Sequence, residues 1–246
     1  MRDLRVLIGG SHILRGVTFQ VAASGVTALL GRNGVGKTTT VRAVLGLLPD
    51  GGRITGGRVT LAGADVTHEP THRTVRRGVG YAPEDRGVFA QLTVAENLTL
   101  AERGRGPDGA PTDGPHYQLV HELFPELRSR SRQLAGTLSG GQQQMVAIAR
   151  TLLNDNRLVI ADEPTKGLAP RVVTEVAEVL ERVAERVPLL LVEQNLALVR
   201  RLARHAAVLD AGQVVHTGEA AELLGDREMT TRLLGVSDRR MSGGAA

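Results

Sequence analysis

Apolar and polar positions along the chain alternate between short strand-like runs and longer helical stretches. Residues 1–5 lead directly into a short strand-like run. Val17, Phe19 and Val21 then alternate with Thr18, Gln20 and Ala22, the period of two expected of a half-buried strand. Gly25 closes this opening β unit. Val26–Leu30 is an unbroken apolar run, as in a strand covered on both faces. Gly31–Thr40 follows, then a helical stretch over Val41–Leu48 closed by Pro49-Asp50-Gly51-Gly52. Val59 and Leu61 predict a strand ahead of Gly63, Pro70 the start of a short helix, and Val79–Ala82 another strand. Val94–Arg103 reads as a helix, with Thr93 as N-cap and Glu96 at capping-box spacing.

Gly104–Pro115, rich in Gly, Pro and Asp, is a loop or insertion too short to split the chain into independent domains. Tyr117–Leu153 is helical in pattern, broken at Pro125 and around Gly136–Gly141. Arg157–Ala161 predicts a strand. Arg171–Arg186 predicts an amphipathic helix with Val172, Val176, Val179, Leu180 and Val183 on one stripe. Leu189–Val192, Ala206–Leu209 and Gln213–His216 read as strands, with Leu196–Ala203 helical. The last twenty residues carry weak helix signals and end in a Met-Ser-Gly-Gly-Ala-Ala tail. The order is antiparallel β, then β–loop–α, a helical middle and β–α–β, with no internal repeat. It predicts an α/β protein: a covered, mostly parallel sheet carrying a small antiparallel β layer and a helical insert.

The 246 residues suffice for a real core, and 41% hydrophobic with 23% charged residues is ordinary globular composition. Aromatics are only 2%, so Val, Leu, Ile and Ala must build the core, and a stacking platform for single-stranded nucleic acid is disfavoured. The net charge of +4 fits either an Arg-rich solvated surface or attraction to phosphates and lipid headgroups. Without cysteine there are neither disulfides nor thiolate metal sites. No signal peptide is evident and no apolar run approaches the ~20 residues that span a bilayer, so a role at a membrane requires a partner.

Gly31-Arg32-Asn33-Gly34-Val35-Gly36-Lys37-Thr38 fits G-x-x-x-x-G-K-[ST], between a predicted buried strand and a helix. Glycines let consecutive N–H groups close around phosphate oxygens, and the helix aims its positive end at the same anion. Lys37 reaches β- and γ-phosphates, and the Thr38 hydroxyl suits Mg²⁺. Leu158-Val-Ile-Ala-Asp162-Glu163 is an apolar strand ending in two carboxylates beyond its C-terminal end. Asp162 is suited to hold Mg²⁺ and Glu163 to polarise an attacking water. Ser139-Gly140-Gly141-Gln142 opens a helix, either simply as its start or as a second anion site roughly one hundred residues from the first. His68 and His72 flank Pro70 without a completing carboxylate and read as surface residues, and His205 as flanking a strand.

The phosphate loop, Leu138-Ser-Gly-Gly-Gln142 and Ala161-Asp-Glu-Pro164 together resemble the nucleotide-binding subunit of ABC transporters over essentially the whole chain. The resemblance implies a P-loop NTPase core of the ABC ATPase fold in one domain. Residues 1–84 and 154–246 would form a RecA-like core with its β subdomain, and about 85–153 a helical subdomain. It implies MgATP hydrolysis in a head-to-tail homo- or heterodimer. ATP would lie between Gly31–Thr38 with Thr39 of one subunit and Ser139, Gly140, Gly141 and Gln142 of the other. Membrane permease subunits would hold the protein at the cytoplasmic face of the inner membrane, with an extracytoplasmic substrate-binding protein as indirect partner and no nucleic acid. Soluble ABC ATPases acting on nucleic acid resemble fused pairs or carry long coiled coils, which this chain lacks.

Tyr81-Ala-Pro-Glu84, Gln91-Leu-Thr-Val-Ala-Glu-Asn97, His121-Glu-Leu-Phe-Pro125, Glu163-Pro-Thr-Lys-Gly-Leu-Ala-Pro170 and Leu191-Val-Glu-Gln-Asn195 look like an ATP-binding subunit of branched-chain amino acid importers, with amide and urea importers close behind. Four positions depart from the general family pattern. The adenine-stacking aromatic falls near Ile8, the usual glutamine at the helical junction is Glu84, the γ-phosphate-sensing histidine is Gln194, and an aspartate after Gly-Leu is Ala169. Glu84 is then a candidate ligand of Mg²⁺ or water, at the cost of an added charge. Gln194 donates a hydrogen bond but carries no proton. Slow hydrolysis by the isolated subunit is expected, and Glu84–Gln91 is the expected permease-docking surface.

Overall fold

A computed structural model describes residues 1–102 and 115–235. The strands are β1 (Arg2–Ile8), β2 (Ser11–Val17), β3 (Val26–Leu30), β4 (Arg53–Arg58), β5 (Thr60–Leu61), β6 (Ala64–Asp65), β7 (Val79–Ala82), β8 (Leu158–Asp162), β9 (Leu189–Val192), β10 (Ala203–Asp210) and β11 (Gln213–Glu219). Helices are α1 (Lys37–Leu45), α2 (Thr71–Arg76), α3 (Val94–Ala101), α4 (Pro115–Leu123), α5 (Pro125–Ser129), α6 (Gly140–Leu152), α7 (Pro170–Ala184), α8 (Leu196–Leu202), α9 (Ala220–Gly225) and α10 (Arg227–Leu234).

The main sheet has the order β11-β10-β3-β9-β8-β7, antiparallel only where β11 joins β10. Every residue of β3, β8 and β9 is buried, as continuous apolar strands require when both faces are covered. On one side lies the small antiparallel sheet β2-β1-β4. Its Leu4, Val6, Leu14 and Val17 pack with Val41 and Leu45 of α1 and Ile160 and Leu190 of the main sheet. The helices α3–α7 form a second core, in which Leu98, Val120, Leu127, Ile148, Val176 and Leu180 meet Val159 and Leu191. A third cluster joins Leu30 and Val208 to Val199, Leu223 and Leu224.

The predicted stripe of α7 faces this core, with Val176, Val179, Leu180 and Val183 buried and Val172 partly so. At α3 both halves of the capping box form: Thr93 Oγ1 accepts the Glu96 N–H at 3.2 Å, and Glu96 Oε2 accepts the Thr93 N–H at 2.7 Å. Pro125 breaks the helical middle as predicted and starts α5 at its first turn.

Several boundaries differ. The alternation over Val17–Ala22 does not form a strand: β2 ends at Val17, and Phe19 is buried as part of the connection to β3. The real partner strands β1 and β2 carry two register shifts, which interrupt any clean period of two in their sequences. The first long helix starts at Lys37 rather than Val41 and ends at Gly46, whose φ of 68° suits the glycine cap. Val59 is buried between β4 and β5 rather than within a strand, and His205 lies within β10. Most of the predicted loop Gly104–Pro115, the end of the predicted helix at Arg103, and the C-terminal tail lie outside the described residues.

Candidate nucleotide site

The C-terminal ends of the central strands β3 and β8 deliver the phosphate loop and the Asp162–Glu163 pair singled out from the sequence, and that of β9 delivers Gln194. The loop between β3 and α1 needs glycine where its backbone is crowded. A Cβ on Gly31 would lie 2.3 Å from the Leu209 carbonyl oxygen, and one on Gly36 2.7 Å from Leu14 Cδ2. Val35 O accepts the Gly212 N–H at 3.1 Å, tying the loop to the β10–β11 hairpin. Arg32, Asn33 and Gly34 are exposed, while Thr38 and Thr39 are half-buried in the first turn of α1. No side chain caps this helix, so its first N–H groups point out at the loop's concave side.

Lys37 is 5% exposed and folds back, its Nζ donating to the Gly31 and Arg32 carbonyls at 2.9 and 3.1 Å and lying 3.7 Å from Glu163 Oε1. Asp162 is wholly buried. Its Oδ2 accepts from the Tyr81 hydroxyl at 3.4 Å, and its Oδ1 has no hydrogen-bond partner. Burial, then the charges of Glu163 and Glu84, push its carboxyl up to about 6. Burial and the neighbouring Asp162 hold the Tyr81 phenol above its ordinary range. An unpaired, deeply buried carboxylate oxygen is the kind of donor a hard divalent cation satisfies, so the residues present fit Mg²⁺.

Glu163 sits at φ 45°, a strained setting for a residue with a Cβ, and is 7% exposed. Its Oε1 accepts from Gln194 Nε2 at 2.6 Å, and the same nitrogen donates to Asn33 Oδ1 at 2.6 Å. Gln194 therefore bridges the phosphate loop and Glu163. Lys166 Nζ lies 3.4 Å from Glu163 Oε2 and is ion-paired with Glu84. The hydrogen bond with Glu84, followed by the charges of Glu163 and Glu84, raises the Lys166 ammonium pKa. The extra negative charge expected at Glu84 is thus matched by a cation from the loop after β8.

Ser139 and Gln142 close a second capping box at α6, with Ser139 Oγ accepting the Gln142 N–H at 3.3 Å and Gln142 Oε1 accepting the Ser139 N–H at 3.1 Å. Gln142 Nε2 also lies 3.4 Å from Glu126 Oε2. The two glycines have packing reasons absent from the sequence reading: a Cβ on Gly141 would meet Val172 Cγ1 at 2.2 Å, and one on Gly140 the Arg86 guanidinium at 3.0 Å. Ile8 packs partly buried against the β-layer core, and Ala169 is an exposed N-cap of α7. His68 and His72 are exposed, and among the described residues no cluster of three or more His, Asp or Glu is arranged around a metal position.

Three contributors carried no assigned chemistry in the sequence: Tyr81 on Asp162, Lys166 between two carboxylates, and Glu193. Glu193 follows the apolar run of β9 just as Glu163 follows that of β8, and the same strand-end rule points to it.

A strand–loop–helix phosphate cradle facing strand-end carboxylates defines a P-loop nucleotide-hydrolysing protein. A family model described as "ABC transporter" matches residues 14–166, and the chain belongs to that family as an ATP-hydrolysing subunit. It is 35% identical to the high-affinity branched-chain amino acid transport ATP-binding protein BraG of Pseudomonas aeruginosa, over 92% of this chain and 95% of the relative. Identity is 32% to a probable branched-chain amino acid transport ATP-binding protein of Archaeoglobus fulgidus, over 92% and 94%. It is 30% to a lipopolysaccharide export system ATP-binding protein of Haemophilus influenzae, over 91% of each. The crystal structure of the ADP conformation of MJ1267, an ATP-binding cassette of an ABC transporter, superposes with a TM-score of 0.75 at 27% identity, covering 94% of this chain and 97% of that one.

Proposed function

We propose that this transporter ATPase powers uptake of branched-chain, hydrophobic amino acids. The cargo is supported by the likeness to two branched-chain amino acid transport proteins and by the Leu191-Val-Glu-Gln-Asn195 and Gly167-Leu-Ala-Pro170 segments. The observation that carries the hydrolytic reading is the Gln194 bridge between Asn33 and Glu163, which puts a donor, a base and the phosphate loop within one hydrogen-bonded unit.

In this reading the phosphates of ATP lie along Gly31–Thr38 and the first turn of α1, and Thr39 completes the cradle. Lys37 exchanges its two carbonyl partners for phosphate oxygens. Thr38 and Asp162 hold Mg²⁺, with Glu84 as a further candidate; when bound, the ion neutralises charge on the phosphate oxygens. Glu163 orients the attacking water and takes its proton, while Gln194 donates toward the γ-phosphate. Ser139, Gly140, Gly141 and Gln142 complete the site of a second ATP-binding subunit packed head to tail, in a homo- or heterodimer.

The helical part, residues 85–153, passes closure of the dimer to membrane permease subunits. The docking surface is Glu84–Gln91, where Arg86 and Gly87 line a cleft of about 320 Å³ with Tyr81, Pro83 and Arg150 and Phe89 is 49% exposed under the Arg150 guanidinium. In this reading the permeases hold the protein at the cytoplasmic face; among the described residues no helix is long and apolar enough to cross a membrane. An extracytoplasmic binding protein supplies the cargo to them.

Co-expression with the permease subunits and binding protein of a branched-chain amino acid importer tests the cargo. Labelled leucine should accumulate in cells with the native chain and not with Lys37→Ala. ATP-dependent uptake of urea or an amide instead, or outward movement of a lipid, would replace the cargo assignment and leave the ATPase in place.

A further inference from the structure

Four donors converge on a buried carboxylate that the mechanism above does not use. Glu193 is 4% exposed. Its Oε2 accepts the main-chain N–H of Gln194 at 2.7 Å and of Asn195 at 2.9 Å. Its Oε1 accepts the Thr165 hydroxyl at 2.5 Å and the Thr165 N–H at 3.4 Å. Among the described residues no cation pairs with it, so hydrogen bonds alone offset its desolvation. An apolar residue here would leave those four donors without their partner, so the carboxylate fixes the position of the segments that carry them.

Thr165, itself buried, follows Glu163 by two residues and precedes the segment Lys166–Ala169, which is exposed except for the partly buried Leu168 and runs to the N-terminus of α7. Gln194 is the residue whose side chain reaches both Asn33 and Glu163. Asn195, also held by Glu193, caps α8 through its own side chain, accepting the Ala197 and Leu198 N–H groups at 3.1 and 3.2 Å. One carboxylate thus grips the backbone beneath the residue facing the phosphates and the backbone of the loop that carries the base.

We propose that Glu193 is a positioning residue that couples Gln194 to the Thr165–Ala169 segment, so that nucleotide at the phosphate loop is felt at the exposed loop before α7. The inference rests on the ATPase reading of the site. When a γ-phosphate draws Gln194 Nε2 from Asn33, the Gln194 backbone moves, and the four bonds to Glu193 carry that movement to Thr165.

The chain has no cysteine, so a single label reports the segment cleanly. Full-length protein carrying Ala169→Cys with an environment-sensitive fluorophore should change emission on adding ATP. Adding Glu193→Gln or Thr165→Val should abolish that change while ATP affinity stays within about twofold, and Thr165→Ser, which keeps the hydroxyl, should restore it. In single-turnover hydrolysis each of Glu193→Gln and Thr165→Val should lose about tenfold in rate, and the double variant no more than either alone. A purely structural staple would lower thermal stability but leave the ATP-induced emission change in place. Emission changes that persist in both variants, or rate losses that multiply in the double variant, overturn the coupling. Failure of the native chain to bind ATP would instead overturn the ATPase reading. Should Glu193→Gln not fold, the contrast of Thr165→Val with Thr165→Ser decides alone.

Discussion

Asp162→Asn should make the nucleotide-free protein more stable at alkaline pH while abolishing Mg²⁺-dependent hydrolysis. The carboxyl is wholly buried, one oxygen is unpaired, and its pKa stands at about 6 against an ordinary 3.8. A raised carboxylate pKa means that the native state binds more protons than the unfolded chain between about pH 4 and 6. Its stabilising effect is complete below the unfolded value and is lost as pH rises through the folded one. At 1.36 kcal/mol per pH unit, ionised Asp162 costs the native state about 3 kcal/mol at pH 8. Asparagine removes that cost and its oxygen can still accept from Tyr81, but its NH₂ group lacks a partner, which returns about 1–3 kcal/mol. The gap between variant and native protein in urea unfolding should therefore move by about 2–3 kcal/mol in the variant's favour from pH 4 to pH 8, whatever its offset. A gap independent of pH, or one moving the other way, would refute the reasoning. Mg²⁺ competes with that proton, so the native enzyme's apparent Mg²⁺ affinity should weaken below about pH 6.

Three further substitutions test neighbouring parts of the account. Gln194→Ala should lower single-turnover ATP hydrolysis by about a hundredfold with little change in ATP affinity, because it removes the side chain that bridges Asn33 and Glu163 and, in the proposed mechanism, donates to the γ-phosphate; a rate within threefold of native would contradict its role. Gly141→Ala forces a methyl to within 2.2 Å of Val172 Cγ1 and should cost about 1–3 kcal/mol in urea unfolding, with loss of activity in excess of that destabilisation if α6 shifts. Thr93→Ala removes the oxygen that caps α3 and should cost about 1 kcal/mol, with ATP affinity unchanged.

How far the sequence reveals this molecule depends on the range of the interactions involved. Short-range chemistry is legible: the Thr93–Glu96 box, the covered runs of β3, β8 and β9, the break at Pro125 and the cradle before α1 all follow from stretches of at most eight consecutive residues. Boundaries set by tertiary contacts are not. Val17 and Phe19 are buried as their alternation suggests, yet Phe19 reaches the core from a connection, because packing rewards burial without requiring a ladder. Lys37-Thr-Thr-Thr40 lacks apolar periodicity, but the loop and the Thr40 Oγ1 bond to the Gly36 carbonyl at 2.9 Å start α1 there.

In the site, strand-end carboxylates were visible as such, whereas partnerships were not. Nothing local says that Lys166 would neutralise Glu84 across 82 positions, or that Gly141 is glycine because Val172 presses on it. Glu193 was within reach of the strand-end rule, but its partner Thr165 lies 28 positions away and only the fold brings them together.

The central claim is that Gly31–Thr38 forms half of an ATP site and that a second subunit's Ser139–Gln142 forms the rest. Light scattering of Glu163→Gln with MgATP, combined with nucleotide counting, tests it most directly. The account predicts a stable dimer retaining two unhydrolysed ATP molecules, lost again when Ser139→Arg is added. A monomer that binds ATP fully, or hydrolysis at the native rate, would contradict it.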